Sequence, residues 1–363
     1  TIPKHDLVCD AWKKLSIHHT IHLESKYILI VSIILLGMIS CRKDEPFGPV
    51  FLVNEDSVKV SLGQRLIVGC EGNFQLNNSS LYEINLETGS VNSNVFSRSN
   101  DELLGDVLQD IKHRNDTLFI VLNNSGLVRL LNDSTFEEIA VIDGLTSPRY
   151  VLIVGHHLWV TDLYSNIISI YDLHSLTLTR TIESNGWTER ILYRNGSVYV
   201  ANVDSKKIMV YSLEGVLTDE QSLDIEPNHF FLIRQGFIVA NGNIAENQNS
   251  PIKALDFNLS EVKTLNYDET LRAITTSGDK VFVAFDSNVR VLKADDLSEL
   301  GGFMTNAQTT YSMMADSARN ELYIMDAKDF ISNGEVMRYS ISDQQMLTKY
   351  QVGIIPQASL MAL

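Results

Sequence analysis

Residues 158–162 read LWVTD and residues 198–202 read VYVAN. Both are short apolar runs, rich in β-branched and aromatic residues, of the kind that forms a buried strand before a turn. Five further stretches share this form, most of them ending in a small or polar residue: LIVGC at 66–70, FIVLN at 119–123, FIVAN at 237–241, VFVAF at 281–285 and LYIMD at 322–326. The first residues of consecutive copies are 53, 39, 40, 39, 44 and 41 positions apart. The chain therefore holds seven copies of a unit of about 40 residues.

Each copy has the same kinds of neighbours, as the unit around LWVTD illustrates. An apolar run at 150–153 precedes it, an alternating strand at 167–172 follows it, and a fourth strand covers 176–182. Alternation at period two and short turns indicate antiparallel hairpins, and no window gives a convincing amphipathic helix. Four strands in about 40 residues are typical of a β-propeller blade. The sequence predicts an all-β, seven-bladed β-propeller with four antiparallel strands per blade.

The first copy lacks a clear inner strand of its own. Residues 355–363 (IPQASLMAL) match the inner-strand pattern at residues 147–153 (SPRYVLI) and have no other blade to join. We expect this C-terminal strand to pair with blade one, closing the ring and removing an exposed sheet edge. Six blades with an appended sheet, or eight with one degenerate blade, are the competing counts.

Composition narrows the functional classes. The 363 residues contain 29 basic and 45 acidic side chains and have a formal net charge of −16. This balance, without a long basic run, argues against a nucleic-acid partner. Three cysteines are too few for a disulfide scaffold. Seven blades of about 40 residues account for the chain after its leader as one domain.

The N-terminal part reads as an export signal. Residues 27–40 are uncharged and apolar, and fourteen residues suit the core of a secretory signal better than a bilayer span of about 20. Residues 38–41 (MISC) resemble a bacterial lipobox, which implies cleavage before Cys41 and lipidation of that residue. Residues 43–45 (KDE) resemble the surface-export signal of Bacteroidota lipoproteins. We expect a leader and signal peptide at 1–41, a tether and lead-in strand at 42–60, and the propeller at 61–363. The alternative is an ordinary inner-membrane anchor helix.

The first 25 residues of the leader have an unusual composition. Residues 1–25 contain no methionine and hold four of the nine histidines, which indicates an over-extended translation start or, alternatively, a metal-binding tail. Removing residues 1–41 takes away four basic and three acidic side chains, so residues 42–363 carry a net charge of −17. Cys70 is then the remaining cysteine, and we expect it in the core without a disulfide partner.

Motifs for catalysis are absent. The sequence has no Gly-x-Ser-x-Gly, His-Glu-x-x-His, Cys-x-x-Cys, phosphate-loop or dinucleotide motif, so no catalytic residue and no cofactor are predicted. Of the five histidines after the leader, we place His113, His156, His157 and His174 at turns or strand ends. Asp326, Asp329, Asn333 and Glu335 are oxygen-bearing residues on one loop, but their spacing fits no EF-hand, and no metal is predicted there.

Alignment of the blades gives a candidate binding site. The residues that begin the innermost strands should surround one mouth of the central channel. We predict a polar ring of seven residues there: Gln109, Arg149, Glu189, Asn228, Arg272, Ser312 and Gln357. Arg149 and Glu189 come from adjacent blades and can also neutralise each other. Trp187, just before the inner strand of blade four, is interpreted as packing between blades rather than as a rim residue.

The loops after the second strands should emerge on the same face. They carry Asn73, Phe74, Asn123, Asn124, Asp162, Tyr164, Asn202, Asn241, Asn243, Asp286, Asp329 and Phe330. Amide and carboxylate groups beside aromatic rings suit hydrogen bonding and stacking on a polar, neutral ligand. The alternative is structural, because propeller rims are wet and Asn and Asp after a strand often only form turns.

The repeats resemble a known family. Residues 159–162 (WVTD) and 199–202 (YVAN) are similar to the repeat of the YVTN (YncE-like) β-propellers, over nearly all of the chain after the leader. Residues 69–243 resemble a Bacteroidota surface-lipoprotein branch, through 104–107 (LGDV), 123–126 (NNSG), 147–150 (SPRY), 160–166 (VTDLYSN) and 186–189 (GWTE). That branch includes cobalamin-capturing surface proteins that sit over a TonB-dependent outer-membrane transporter.

The leading hypothesis is therefore a non-enzymatic lipoprotein, exposed at the outer-membrane surface and anchored through Cys41. It would bind a small-molecule nutrient, such as cobalamin, for a TonB-dependent transporter. One alternative is a propeller enzyme of the lactonase or lyase type, against which the ring counts because it has one carboxylate and no histidine. The other is a scaffold that binds a protein or polymer through its blade edges.

Overall fold

The computed structural model describes residues 65–242 and 250–362, which form a ring of seven four-stranded antiparallel sheets. The first strands of neighbouring blades contact one another around the whole ring, so they surround a central channel. This arrangement confirms the predicted seven-bladed β-propeller. Each of the seven repeated stretches forms the second strand of a blade.

The strands are numbered along the chain, and each set of equivalent strands runs from blade one to blade seven. The first strands are β28 (Pro356–Ala362), β4 (Leu108–Arg114), β8 (Pro148–Val154), β12 (Thr188–Arg194), β16 (His229–Ile233), β20 (Leu271–Ser277) and β24 (Thr310–Asp316). The second strands are β1 (Arg65–Cys70), β5 (Thr117–Leu122), β9 (His157–Asp162), β13 (Ser197–Asn202), β17 (Gly236–Ala240), β21 (Lys280–Phe285) and β25 (Glu321–Asp326).

The third strands are β2 (Ser80–Asn85), β6 (Leu127–Asn132), β10 (Ile167–Asp172), β14 (Lys207–Ser212), β18 (Ser250–Asp256), β22 (Asn288–Lys293) and β26 (Glu335–Ser340). The fourth strands are β3 (Val91–Asn92), β7 (Glu138–Ile142), β11 (Leu178–Glu183), β15 (Leu217–Ser222), β19 (Glu261–Tyr267), β23 (Glu299–Met304) and β27 (Met346–Gln351).

Blade one is completed by the C-terminal strand, as predicted. β28 pairs antiparallel with β1, with Arg65 opposite Ala362 and Gly69 opposite Ala358. The first and last described strands therefore share one sheet, and β28 supplies the inner strand that the first repeat lacks.

The core lies between neighbouring sheets. Second strands are buried along nearly their whole length, whereas fourth strands such as β11 are mostly exposed. Between blades three and four, the Trp159 and Tyr211 rings pack with their centroids 6.4 Å apart, and Ile168 and Val198 join the same cluster. Burial of one such large side chain contributes about 1.5–3 kcal/mol, which explains why the apolar second strands set the repeat.

One helix interrupts the β pattern in the described residues. Helix α1 (Val95–Asn100) connects β3 to β4, and its buried Val95 and Phe96 pack into the cluster between blades one and two. It lies in the 53-residue interval between the first two repeats, which is longer than the others. The six residues are too short to give an amphipathic period, so the sequence does not reveal the helix.

Most of the inner strands have a register shift near their first residues. In six blades the register of the first strand shifts near its start, which leaves one extra residue in that strand. Such a β-bulge changes the direction of the side chains beside it. β16 of blade five pairs with β17 without this shift. Because inner strands surround the channel, the bulges lie around one of its ends.

Several sequence predictions fall outside the described residues. They concern the leader and signal peptide at 1–41, lipidation of Cys41, the tether at 42–60, and Asn243. Within residues 65–242 and 250–362, no helix is long and apolar enough to cross a membrane.

Candidate functional site

The bulges lie at the end of the channel where the first strands begin and the second strands end. We call this end, with the loops that follow the second strands, the channel mouth. Five of the seven residues of the predicted polar ring are bulge residues: Gln109, Arg149, Glu189, Arg272 and Gln357. Asn228 directly precedes β16. In blade seven the bulge residue is Tyr311, so the predicted ring position at Ser312 is one residue too far along the chain.

A hydrogen-bonded row crosses three adjacent blades at the channel mouth. Arg149 of blade three donates to Glu189 Oε1 of blade four at 2.7 and 2.9 Å, and to Gln109 Oε1 of blade two at 2.6 Å. The Trp187 indole N–H donates to the same Glu189 oxygen at 2.8 Å. Burial alone would lower the pKa of Arg149, but the Glu189 carboxylate keeps that pKa above its ordinary value. Arg149 is therefore a fixed cation.

Trp187 corrects one interpretation from the sequence. It is partly exposed and hydrogen-bonded to Glu189, and it belongs to none of the apolar clusters of the described residues. It is a rim residue rather than part of the packing between blades.

A second pair faces this row from blades one and seven. The Tyr311 hydroxyl donates to Glu71 Oε1 at 3.0 Å. Burial raises the pKa of the Glu71 carboxyl to about 7, although the hydrogen bond from Tyr311 and the charge of Arg149 both lower it. Burial and the nearby Glu71 charge also raise the pKa of Tyr311 well above its usual range. Glu71 thus carries a carboxyl group that changes protonation near neutral pH.

A third group surrounds Arg190, which follows Glu189 in the bulge of blade four. The guanidinium carbon of Arg190 lies 4.8 Å from the ring centroids of both Tyr150 and Phe231. His229 stacks on Phe231 with an angle of 13° between the rings. Burial and the charge of Arg190 lower the pKa of His229 to about 3, so its imidazole is neutral at physiological pH.

Three buried polar atoms of these groups have no hydrogen-bond partner in the described part of the chain. They are Glu189 Oε2, Arg190 Nε and His229 Nδ1. A buried polar atom without a partner costs about 1–3 kcal/mol, so its persistence needs an explanation. All three atoms belong to the inner strands of blades four and five.

Some predicted loop residues serve the fold rather than the site. Asp162 is 4% exposed, and its oxygens accept from the backbone N–H groups of Ser147, Tyr164 and Ser165 at 2.8–2.9 Å. Asn202 is fully buried and donates to Ser184 O at 2.6 Å. The expectation that Asp162 and Asn202 face a ligand is wrong for this reason: both side chains hold turns together.

Asn123 has the same structural role. It is buried and donates to the Pro148 carbonyl of the next blade at 3.0 Å. Asn124 is exposed, but its amide donates to Asp106 Oδ2 at 2.7 Å.

The remaining loop residues are available at the surface. Phe74 is 64% and Tyr164 72% exposed. Asn73 donates to the Phe330 carbonyl at 2.8 Å, and the Phe330 ring meets Tyr311 edge-on with centroids 5.7 Å apart. The loops of blades one and seven therefore join directly above the Glu71–Tyr311 pair.

Arg272 and Asp286 of blade six form a separate pair at 2.8 Å, with the Asp286 side chain 76% exposed. Asn228, Asn241 and Gln357 are partly buried near the same mouth, and the Asn241 side-chain oxygen is buried without a partner in the described residues.

The oxygen-rich loop of blade seven is held by the protein itself. Asp326 accepts from three backbone N–H groups, Asp329 accepts from those of Ile331 and Ser332, and Glu335 pairs with Lys328 and Lys349. Across residues 65–242 and 250–362, no group of three His, Cys, Asp or Glu side chains is placed to hold a metal ion.

Sequence reasoning missed Glu71, Arg190, His229 and Tyr311. Arg190, His229 and Tyr311 each lie next to a predicted ring position, whereas Glu71 follows the second strand β1 and had no such signal. A bulge turns neighbouring residues of an inner strand toward the mouth. The residues beside each predicted ring position therefore belonged in the candidate set. With them the inner end of the channel has the carboxyl groups of Glu71 and Glu189 and the imidazole of His229, so the scarcity of such groups no longer argues against an enzyme.

A cleft of about 530 Å³ lies elsewhere, at the outer edge between blades five and six, lined by residues of 262–267 and 296–299. It lacks the converging charges and unpartnered buried atoms of the channel mouth, so the mouth is the better candidate site.

Comparisons with known proteins show the fold. No protein-family model matches the sequence, and no curated protein matches it significantly. A putative 6-phosphogluconolactonase from Bacteroides fragilis has a similar structure, with 12% identity, a TM-score of 0.65, and coverage of 84% of this chain and 99% of its own. A protein from Lactobacillus plantarum is 14% identical with a TM-score of 0.61, covering 82% of this chain and 99% of its own.

A dihydro-heme d1 dehydrogenase is a further structural neighbour, with 11% identity, a TM-score of 0.57, and coverage of 82% of this chain and 75% of its own. At these identities the likeness shows the propeller fold alone. Two of the three neighbours are named as enzymes, so the fold is compatible with catalysis as well as with binding.

Proposed function

We propose that this protein binds a small-molecule nutrient at the channel mouth, as a lipoprotein on the outer-membrane surface, and passes it to a TonB-dependent transporter. The observation that carries the binding role is the convergence of Glu71, Arg149, Glu189 and Arg190 at one end of the channel. A few oriented polar groups among aromatic rings are typical of ligand sites. The lipobox-like residues 38–41 and the KDE stretch at 43–45 support the surface anchor.

Cobalamin is one candidate ligand, because the sequence resembles a branch of propellers that includes cobalamin-capturing proteins. Exposed Phe74 and Tyr164 and partly exposed Trp187 offer surfaces for stacking. Calorimetric titration of the purified chain with cobalamin and with cobinamide tests this version. Saturable binding that Tyr164→Ala weakens supports it, whereas no saturable binding of either corrinoid removes cobalamin as the ligand.

The anchor and the transporter have their own tests. Replacement of Cys41 by alanine should abolish incorporation of a labelled fatty acid and release the protein from the outer membrane. The unchanged chain should be accessible to protease on intact cells. Co-purification of a TonB-dependent transporter with a tagged chain supports transfer, and its absence under mild solubilisation contradicts it.

A second candidate function is hydrolysis of a lactone or ester. It is favoured by the Glu71 carboxyl, whose pKa of about 7 suits a general base at neutral pH, next to the Tyr311 hydroxyl and Arg149. Hydrolysis of 6-phosphogluconolactone, suggested by the name of one structural neighbour, is the first reaction to assay. Activity that Glu71→Gln abolishes and Glu137→Gln preserves supports the enzyme. Equal rates with and without protein contradict it for this substrate.

A further inference from the structure

Arg190 is a charged side chain at the channel mouth that no carboxylate of the described residues neutralises. Among residues 65–242 and 250–362, it forms neither an ion pair nor a hydrogen bond, and its Nε is buried. Arg190 is partly buried, and burying part of a guanidinium without an anionic partner is unfavourable. Arg190 differs in this respect from Arg149, whose charge is paired with that of Glu189.

The surroundings of Arg190 hold it in place without neutralising it. Tyr150 and Phe231 approach its guanidinium at 4.8 Å each, at a distance that permits cation–π attraction. Such contacts engage the face of the guanidinium and leave its N–H groups free to donate in the guanidinium plane. Arg190 is therefore positioned to donate hydrogen bonds to a bound group.

The local charge balance favours an anion. Arg149 and Glu189 cancel, the His229 imidazole is neutral, and the raised pKa of Glu71 leaves that carboxyl partly protonated at neutral pH. Among these four side chains Arg190 therefore carries the charge that is not cancelled, although the whole chain is strongly acidic. Arginine matches carboxylate and phosphate geometry better than other side chains do.

Glu189, the residue before Arg190, also has an atom without a hydrogen-bond partner among the described residues. Its side chain is 3% exposed, Oε1 accepts from Arg149 and Trp187, and Oε2 has no partner among the described residues. Glu189 directly precedes Arg190 in the bulge of β12, so the two side chains belong to the same short stretch of the inner strand. A carboxylate oxygen accepts hydrogen bonds only, so Oε2 is suited to a hydroxyl or amide donor.

We propose that the channel mouth binds an oxyanion, a carboxylate or a phosphate, on a ligand that also carries a hydroxyl or amide donor. Arg190 donates to the oxyanion, and Glu189 Oε2 accepts from the donor. The ligand class thus differs from the neutral ligand expected from the sequence. This proposal rests on the proposed binding function, because it concerns the same site.

The test is calorimetric titration of the full chain at fixed ionic strength with four probes: inorganic phosphate, glycerol 3-phosphate, acetate and lactate. We expect saturable binding of the phosphates or of the carboxylates, which tells the two oxyanions apart. The hydroxyl-bearing member of the pair should bind more tightly. Arg190→Gln should weaken binding by about tenfold to a hundredfold, the usual effect of losing a charged hydrogen bond.

Two further variants separate binding from folding. Arg180→Gln removes an exposed arginine of the outer strand β11, away from the channel mouth, so affinity should change less than about twofold. Glu189→Gln keeps an acceptor for Arg149 but puts an amide donor in place of Oε2, so the preference for hydroxyl-bearing probes should vanish. Thermal unfolding of each variant shows whether the chain remains folded, and Arg190→Lys supplies a milder change if Arg190→Gln does not fold.

The possible results separate this proposal from the proposed function. Saturable cobalamin binding without binding of any of the four anions overturns the oxyanion site and leaves the binding function standing. Anion binding that is equal in the unchanged chain and in Arg190→Gln also overturns it. Failure of every probe, including the corrinoids, counts against both.

Discussion

The titration of Glu71 gives a prediction about stability that is independent of any ligand. Burial raises the pKa of this carboxyl from an ordinary value of 4.5 to about 7 in the folded chain. Between these two pH values the folded protein holds a proton that the unfolded chain has lost. Stability from this group is therefore fully present below about pH 4.5 and is lost as the pH rises through about 7.

The magnitude follows from the size of the shift. Each pKa unit corresponds to 1.36 kcal/mol, so charging Glu71 removes at most about 3 kcal/mol of unfolding free energy. Glu71→Gln should not suffer this loss, because its side chain stays neutral and its oxygen can still accept from the Tyr311 hydroxyl. The variant should gain stability relative to the unchanged chain between pH 4.5 and 8, with most of the gain complete by about pH 7.5.

The assay is urea unfolding of both chains at pH 4.5, 6, 7 and 8, with the difference in unfolding free energy plotted against pH. Comparing the two chains cancels the other titrating groups. Glu137→Gln, which removes an exposed carboxylate from the β6–β7 turn, controls for the loss of one negative charge. A difference for Glu71→Gln that stays constant across this range would refute the inference that Glu71 is protonated in the folded protein near neutral pH.

Three further predictions concern the scaffold and can be checked by urea unfolding. Arg149→Gln should lower the unfolding free energy by about 3–5 kcal/mol, because it leaves the Glu189 charge buried and unpaired. Arg272→Gln should lower it by less than about 1 kcal/mol. Equal losses contradict the assignment of the buried pair. Gly236→Ala should cost at least about 2 kcal/mol of unfolding free energy, because its new Cβ would lie 1.8 Å from a carbonyl oxygen of β18. The Cβ of Gly278→Ala would meet nothing within 4 Å. Similar losses in the two variants count against the close approach at Gly236. A chain that ends before β28 should lose its single cooperative transition and self-associate in size-exclusion chromatography, because the edge of β1 is then exposed; a monomer with unchanged unfolding contradicts the closure.

The sequence predicts the fold well because the repeat is carried by buried second strands. Apolar stretches such as LWVTD at 158–162 lie between two sheets, so their composition is constrained in every blade. The closing strand is predictable for a similar reason, since residues 355–363 repeat an inner-strand pattern without a blade of their own. Helix α1 escapes prediction because six residues carry too little periodicity.

The site is harder to predict because it depends on contacts between distant residues. Counting back from the second strands finds Gln109, Arg149 and Glu189, whose positions follow from strand length. Counting cannot show that Tyr311 of blade seven meets Glu71 of the neighbouring blade one, 240 positions away in sequence. It also cannot tell Asp162, whose oxygens are used by turn amides, from an Asp that is free to bind a ligand.

The shared sheet of blade one also sets the order of events in making the protein. Arg65 pairs with Ala362, so the sheet of blade one stays incomplete until residues 356–362 have left the ribosome. Pairing at such sequence separation is typical of slow folding. Pairing of β28 with β1 therefore completes the ring only after all seven blades have been synthesised.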